Sequence, residues 1–67
     1  MYYVDVILPL PLEGTFTYSL PEAMAEKVCL GVRVLVPLGK SKTYTAMAVR
    51  VHDDAPEFKT RDILQVI

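Results

Sequence analysis

Short runs of alternating apolar residues, each followed by a proline, glycine or polar turn, constrain the fold of this chain more than any other feature. Alternation with a period of two places successive side chains on opposite faces of a sheet. Proline cannot donate a hydrogen bond to a strand ladder, so it ends such a run. Turn signals recur about every ten residues, which predicts an all-β fold: a small antiparallel barrel or curled sheet of about five strands. The strands are expected at residues 2–8, 15–20, 32–38, 43–51 and 61–67.

One segment, residues 21–30, is the only plausible helix. Pro21 suits a first turn, and Glu22 lies near the positive end of the helix dipole. The segment is so short that a single turn or an irregular loop is equally compatible with it. The fold therefore contains at most one short helix.

Alternation also assigns the strand faces. In the first strand Tyr2, Val4, Val6 and Leu8 share a face, and in the third Val32, Val34, Val36 and Leu38 point inward. The fourth strand is expected to place Tyr44, Ala46, Ala48 and Arg50 on one face and Thr43, Thr45, Met47, Val49 and Val51 on the other. Residues 52–58 read as a polar loop that includes His52.

Length and composition predict one domain spanning residues 1–67, with a thin core. The apolar fraction of 52% argues against disorder and suggests that a partner, another domain or a second copy covers part of the surface. One cysteine, Cys29, allows no internal disulfide, and no signal peptide or membrane span is visible, so a cytoplasmic location is expected. The last run stops mid-pattern, which suggests a fragment of a longer protein.

Charge is distributed unevenly although the net charge is −1. Residues 33–52 contain four basic side chains and no acid, and both flanking segments are acidic. Two interpretations remain open: solvated strand faces, or phosphate contacts. The basic residues are Arg33, Lys40, Lys42 and Arg50.

The run Gly39-Lys40-Ser41 superficially resembles a nucleotide phosphate loop. Such a loop needs a glycine five residues before its Gly-Lys pair, and that position is Val34, inside a predicted strand. A hairpin turn with a solvated lysine fits better. A turn that approaches a ligand closely, because Gly39 has no side chain, is a further interpretation.

The aromatic pair Phe16 and Tyr18 lies two residues apart on one strand face. These rings either pack in the core or form a platform on which nucleic-acid bases stack. Thr17 points to the opposite face in a regular strand, and a bulge or strand end could redirect it. No nucleophile with a base and an orienting group is visible, and His52 is interpreted as a loop residue; this chain is therefore not expected to be an enzyme.

Two segments together, LPLPLEGTFTYSLPE and GVRVLVPLGK, followed by AMAVRV and ILQVI, resemble the N-terminal 3′-DNA-binding domain of primosomal protein N′, the bacterial replication-restart DNA helicase. Members of that family typically read V-x-L-P-x-P-L-x-x-x-F-x-Y-x-L-P and then G-x-R-V-x-V-P-F-G-K. The resemblance covers nearly the whole chain, in order and with similar spacing.

The resemblance implies that the domain recognises the 3′ end of a nascent strand at a stalled fork, without marked base specificity. It implies a pocket around the F-x-Y segment, the turn glycine and a basic residue before the last strand, with Lys59 as the alternative for that basic residue. Lys40 is added as a phosphate contact. The expected DNA-binding residues are Phe16, Thr17, Tyr18, Gly39, Lys40 and Arg61.

Two residues depart from the family pattern. The position between the aromatics is often Asp in the family but is Thr17 here, which replaces an ionised acceptor by a hydroxyl that both donates and accepts. Leu38 stands where the family usually has Phe. ATP, magnesium and zinc would belong to downstream helicase domains, so no cofactor or metal is expected in this chain.

The partners implied are DNA with a free 3′ end or forked DNA, the downstream helicase domains and other primosome proteins, with no membrane. The alternative is a protein-interaction β-barrel that docks on a helicase core or another replication protein through exposed apolar strand edges. Binding to oligonucleotides separates the two.

Overall fold

A computed structural model of the chain describes residues 2–11 and 13–67; Met1 and Leu12 lie outside the described residues. The all-β prediction is confirmed, because the described residues form five strands and one short 3₁₀ helix. The strands are β1 (Tyr2–Ile7), β2 (Phe16–Leu20), β3 (Arg33–Leu38), β4 (Lys42–His52) and β5 (Gln65–Val66), and the 3₁₀ helix spans Glu22–Lys27.

The sheet has the order β2-β1-β4-β3-β5, and every neighbouring pair is antiparallel. It is curled but not closed by a continuous ladder. The C-terminal segment bridges the gap: the Ile63 N–H donates to the Ser19 carbonyl of β2 at 3.1 Å, and the Leu64 N–H donates to the Leu35 carbonyl of β3 at 2.7 Å. Consecutive residues thus connect the two sides of the sheet.

We call residues 62–64, which pass from β2 to β3, the crossing segment. The crossing segment corrects the expectation of a strand over residues 61–67. Only Gln65–Val66 forms a strand, paired with β3, whereas Asp62 makes an isolated parallel bridge to Ser19. A segment that changes its partner between residues 63 and 64 cannot continue one regular ladder. Alternation in the sequence does not reveal such a change of partner.

A β-bulge in β4 corrects the predicted faces of that strand. Val6 of β1 pairs with Ala48 while its neighbour Asp5 pairs with Arg50, so Val49 has no counterpart on β1. An extra residue shifts the alternation by one and bends the strand. Arg50, expected on the face of the buried Ala48, therefore lies with Asp5 on the outer face.

The core lies on one face of the sheet. The inward positions predicted for β1 and β3 are largely confirmed, although Tyr2 is exposed and Val32 and Leu38 are half-buried. The 3₁₀ helix packs Met24 and Ala25 against the core. The buried residues are Val4, Val6, Leu8, Tyr18, Leu20, Val28, Val34, Val36, Ala46, Ala48 and Ile63.

The helical segment is shorter than the predicted 21–30 and is not an α-helix. Val28 already has an extended backbone conformation, and its side chain is buried in the core. Across residues 2–11 and 13–67, no helix has the length and apolar character needed to cross a membrane.

Candidate nucleic-acid interface

A cleft of about 340 Å³ lies beside the free edge of β2. One wall consists of residues 15–18, and the opposite wall consists of residues 58–61. The volume falls in the lower part of the range for small-molecule sites, which is about 300–1,000 Å³. The cleft therefore has room for one small group rather than for a long ligand.

The two walls are joined at one end of the cleft. The Ser19 N–H donates to the Arg61 carbonyl at 2.9 Å, and the hydroxyls of Ser19 and Thr60 hydrogen-bond to each other. Backbone groups in a strand alternate between its two sides, so Thr17, two residues before Ser19, directs its N–H and C=O toward the cleft. The cleft thus offers a backbone donor and acceptor beside a closed end.

Arg61 connects the cleft to the β3–β4 turn. Its guanidinium donates to the Gly39 carbonyl at 2.6 Å. Gly39 has a φ of +73°, a left-handed conformation that favours glycine, and a Cβ added there would meet no atom within 4 Å. The turn therefore faces open space that a ligand can reach.

Tyr18 and Phe16 differ in role: Tyr18 packs in the core, whereas Phe16 is only partly buried and lines the cleft. Tyr18 is only 6% exposed, and its hydroxyl donates to the Pro37 carbonyl at 2.8 Å. Burial raises the pKa of Tyr18 above its ordinary value of 10.0, and the positive charge of Arg61 offsets part of that rise. Tyr18 is thus a core residue at the base of the cleft. Phe16 is partly buried and also lines the cleft.

Phe58 is a cleft residue that the sequence analysis missed. Its side chain is 62% exposed and lines the wall opposite Phe16. An exposed large aromatic ring among cations is a common element of surfaces that stack nucleic-acid bases. The only sequence signal was its place in a polar loop next to Lys59, which carries no periodicity.

Basic side chains lie on one side of the cleft. Lys59 and Arg61, the alternatives for one basic position, both line it, and only Arg61 also contacts the Gly39 turn. Lys40 is exposed on that turn and lies outside the lining. Arg50 also lies outside the lining, on the outer face, where it forms an exposed ion pair with Asp54 at 3.6 Å.

Thr17 belongs to a polar network on the outer face of the sheet. Its hydroxyl donates to Asp5 Oδ1 at 2.7 Å, and His52 Nε2 contacts the same oxygen at 3.0 Å. Burial alone would raise the pKa of Asp5, but the hydrogen bonds from Thr17 and His52 and the positive charges of His52 and Arg50 outweigh it, so the pKa lies below its ordinary value.

The interpretation of His52 as a loop residue is wrong. His52 is the last residue of β4, pairs with Tyr3 of β1 and stacks on the Tyr3 ring with a centroid separation of 6.0 Å. The bulge at Val49 sets this position, because the shifted register places His52 on the same face as Asp5.

The structure thus brings Phe16, Thr17, Tyr18 and Arg61 to one cleft, which Arg61 links to Gly39. The model of the 3′ DNA-binding domain (3′BD) family matches residues 5–67. That range includes both walls of the cleft, the Gly39 turn and the crossing segment. The chain belongs to this family, the 3′ DNA-binding domains of primosomal protein N′.

Proposed function

We propose that this DNA-binding domain holds the 3′ end of a DNA strand in the cleft between residues 15–18 and residues 58–61, without marked base specificity. The fork-bound nascent strand of a replication-restart helicase is the proposed substrate. The observation that carries the proposal is the closed end of the cleft, where Ser19 bonds to Arg61.

A closed cleft favours a strand terminus over an internal stretch. A strand that passed through would have to cross the backbone hydrogen bond between Ser19 and Arg61. Beyond that bond lies a second cavity, of about 380 Å³, whose lining includes the acidic side chains Glu22 and Asp62. Carboxylates disfavour the phosphate that a continuing strand would place there.

Indifference to base identity follows from the available contacts. The rings of Phe16 and Phe58 offer faces on which any base can stack, and such stacking contributes roughly 1–3 kcal/mol per base. The backbone N–H and C=O of Thr17 add a donor and an acceptor. None of these groups forms the bidentate side-chain pair that discriminates between bases.

The number of cations predicts a weak dependence of affinity on salt. Lys59, Arg61 and Lys40 are the basic side chains in or beside the cleft. If they neutralise one to three phosphates of a single strand, log K falls with log salt at a slope of roughly −0.7 to −2. A slope far steeper than this would indicate a long electrostatic footprint, which contradicts a pocket for one terminal nucleotide.

The test is fluorescence anisotropy of the domain with 5′-labelled single strands that differ only at the 3′ terminus. We expect a free 3′-hydroxyl to bind better than a 3′-phosphate, and a circular strand to bind worst. The four terminal bases should give similar affinities. Equal binding of hydroxyl and phosphate termini, or no binding to either, would refute the proposal and favour the second candidate below.

Lys40→Ala tests the role of the turn. Because a phosphate contact carries no base information, the variant should weaken binding of all 3′-hydroxyl strands by a similar factor. Lys27→Ala, the same change at the end of the 3₁₀ helix, serves as the control. A large loss for one terminal base alone would contradict a phosphate role for Lys40.

A second candidate function is a protein-interaction module that docks on the helicase core or another replication protein. The observation in its favour is an exposed apolar pair on the outer face, where Ile7 and Met47 lie opposite each other on β1 and β4. They are 47% and 46% exposed and border a shallow cavity. Ile7→Ser together with Met47→Ser should abolish that docking and leave DNA affinity unchanged.

A further inference from the structure

A row of exposed residues crosses the outer face of the sheet. Ile7 pairs with Met47, Met47 pairs with Arg33, and the Ile67 N–H donates to the Arg33 carbonyl at 2.9 Å. Residues directly opposite each other on neighbouring strands are neighbours on one face of the sheet. We call these four residues the outer row. Because adjacent strands lie about 4.8 Å apart, the outer row extends roughly 14 Å across the sheet.

Three of the four residues of the outer row are apolar and exposed. Ile7, Met47 and Ile67 are 47%, 46% and 61% exposed. Val66 pairs with the buried Val34 and packs against the core, so the next residue, Ile67, points to the opposite face. Single exposed apolar side chains are normal, whereas contiguous ones are typical of interaction surfaces. The outer row is contiguous.

Arg33 carries the charge of the outer row. It is exposed, and it forms no ion pair with any of residues 2–11 and 13–67. The acidic side chain of β1, Asp5, is already hydrogen-bonded to Thr17 and His52. A guanidinium binds a carboxylate through two parallel hydrogen bonds, and it loses less hydration than an ammonium would. Arg33 is therefore suited to an acidic group of a partner.

A shallow cavity of about 190 Å³ lies beside this cation. Arg33, Ile7 and Met47 line it, and Leu8 and Pro9 extend its apolar wall. Small-molecule sites usually have volumes of about 300–1,000 Å³, so this cavity is too small for a typical one. It has room for one side chain of a larger partner, with a guanidinium at its border.

Two other occupants fit the outer row poorly. In a symmetric dimer the same surface faces itself, so a second copy would bring another Arg33 to a surface that has no carboxylate. Single-stranded DNA binds through several cations and through rings on which bases stack. The outer row offers one cation and no aromatic ring.

We propose that the outer row binds a segment of a partner protein that presents a carboxylate beside apolar side chains. This inference rests on the second candidate function and is independent of the DNA cleft. The carboxylate pairs with Arg33, one apolar side chain enters the cavity beside Met47, and another packs on Ile67. Apolar burial supplies the affinity, and the charge pair determines which segments bind.

The experiment titrates the isotope-labelled protein with three peptides of equal length and follows the amide signals by NMR. One peptide combines leucine with glutamate, the second leucine with lysine, and the third serine with glutamate. We expect the leucine–glutamate peptide to bind saturably and to shift the signals of the outer row. Its affinity should exceed that of each other peptide by about fivefold or more.

Reversal of the charge at Arg33 tests the selection directly. Arg33→Glu should bind the leucine–lysine peptide better than the leucine–glutamate peptide, because like charges now face each other in the latter complex. Lys27→Glu, the same reversal at the exposed end of the 3₁₀ helix, should retain the preference for glutamate. Met47→Ser should weaken binding of both leucine peptides. Circular dichroism confirms that each variant is folded.

Several results would overturn the inference. Equal binding of the two leucine peptides, or an unchanged preference in Arg33→Glu, would show that Arg33 does not select the partner. Equal binding of the serine–glutamate peptide would show that the apolar residues contribute nothing. Absence of binding, or shifts confined to the cleft between residues 15–18 and residues 58–61, would remove the site from the outer row.

The outcomes also separate this inference from both proposed functions. If the protein binds the leucine–glutamate peptide on the outer row but binds no DNA terminus, the inference stands and the function of the cleft fails. If the double serine variant of Ile7 and Met47 abolishes docking on the helicase core while Arg33→Glu does not weaken it, the second candidate function stands and the inference fails.

Discussion

Tyr18→Phe tests how the open side of the sheet is closed. Arg33 and Leu35 direct their carbonyls toward the C-terminal segment, where the N–H groups of Ile67 and Leu64 donate to them. Alternation makes Pro37 direct its carbonyl the same way, beyond the end of β5. The Tyr18 hydroxyl donates to that carbonyl and so connects β2 to β3.

The expected loss in free energy of unfolding follows from the burial of both residues that form the bond. Tyr18 and Pro37 are buried, so removing the hydroxyl leaves a buried carbonyl without its partner. Such a loss costs about 1–3 kcal/mol in free energy of unfolding. For a domain of this size, each kcal/mol lowers the thermal midpoint by about 4–8 °C. We therefore expect Tyr18→Phe to lower the midpoint by roughly 5–20 °C.

Urea denaturation followed by circular dichroism measures the effect, with Tyr2→Phe as the matched control. Tyr2 is half-exposed, so its hydroxyl is replaced in contact with water and its loss should change stability by less than about 0.5 kcal/mol. If Tyr18→Phe unfolds at the same urea concentration as Tyr2→Phe, the bond to Pro37 does not close the sheet.

The raised pKa of Tyr18 supplies a second readout. The unfolded chain loses the Tyr18 proton near pH 10, whereas the folded protein retains it to higher pH. The stabilisation is therefore complete below pH 10 and declines as the pH rises through the folded pKa. The difference in stability between the original protein and Tyr18→Phe should shrink above pH 10, and a constant difference would contradict this reasoning.

Three further changes test other parts of the fold. Ile63→Ala removes a buried side chain at the crossing and should cost about 2–5 kcal/mol in urea denaturation, whereas Ile67→Ala, at an exposed position, should cost less than about 0.5 kcal/mol. Gly39→Ala meets open space but adopts a left-handed backbone, so about 1–2 kcal/mol of strain is expected in the same assay. The lowered pKa of Asp5 stabilises the fold above its ordinary value of 3.8, and this stabilisation declines as the pH falls through the folded pKa. Asp5→Asn should therefore flatten the acid limb of a stability profile between pH 6 and 2.

The strands were predictable where a strand keeps the same neighbouring strands along its length. Alternation and proline predicted β1 to β4 to within one residue at each end. The prediction of one strand over residues 61–67 failed because Asp62 and Leu64 bond to different strands. The predicted faces of β4 were wrong beyond Ala48 because Val49 forms a bulge. Nothing in the local sequence, such as a glycine, marks that bulge.

The candidate site was predictable only where its residues are adjacent in sequence or belong to the family pattern. Phe16 and Thr17 are adjacent in sequence, and the resemblance to a family suggested that Arg61 joins them. Phe58 was missed because an aromatic ring in an irregular loop has no periodic signal. The contact of Asp5 with Thr17 depends on register, which alternation alone does not determine.

The cleft and the incomplete closure of the sheet are one structural feature. The edge of β2 would be fully covered if residues 58–61 continued the pairing that begins at Ser19. Instead they diverge from β2 and leave a gap lined by Thr17 backbone groups and by side chains of both walls. An exposed strand edge usually promotes unwanted pairing with other chains. Here the edge is open over only a few residues, and Arg61 and Lys59 beside it discourage another strand while favouring a phosphate. A fully closed barrel would satisfy the edge and remove the cleft that we propose for a DNA terminus, so the divergence of residues 58–61 from β2 is the structural condition on which that proposal depends.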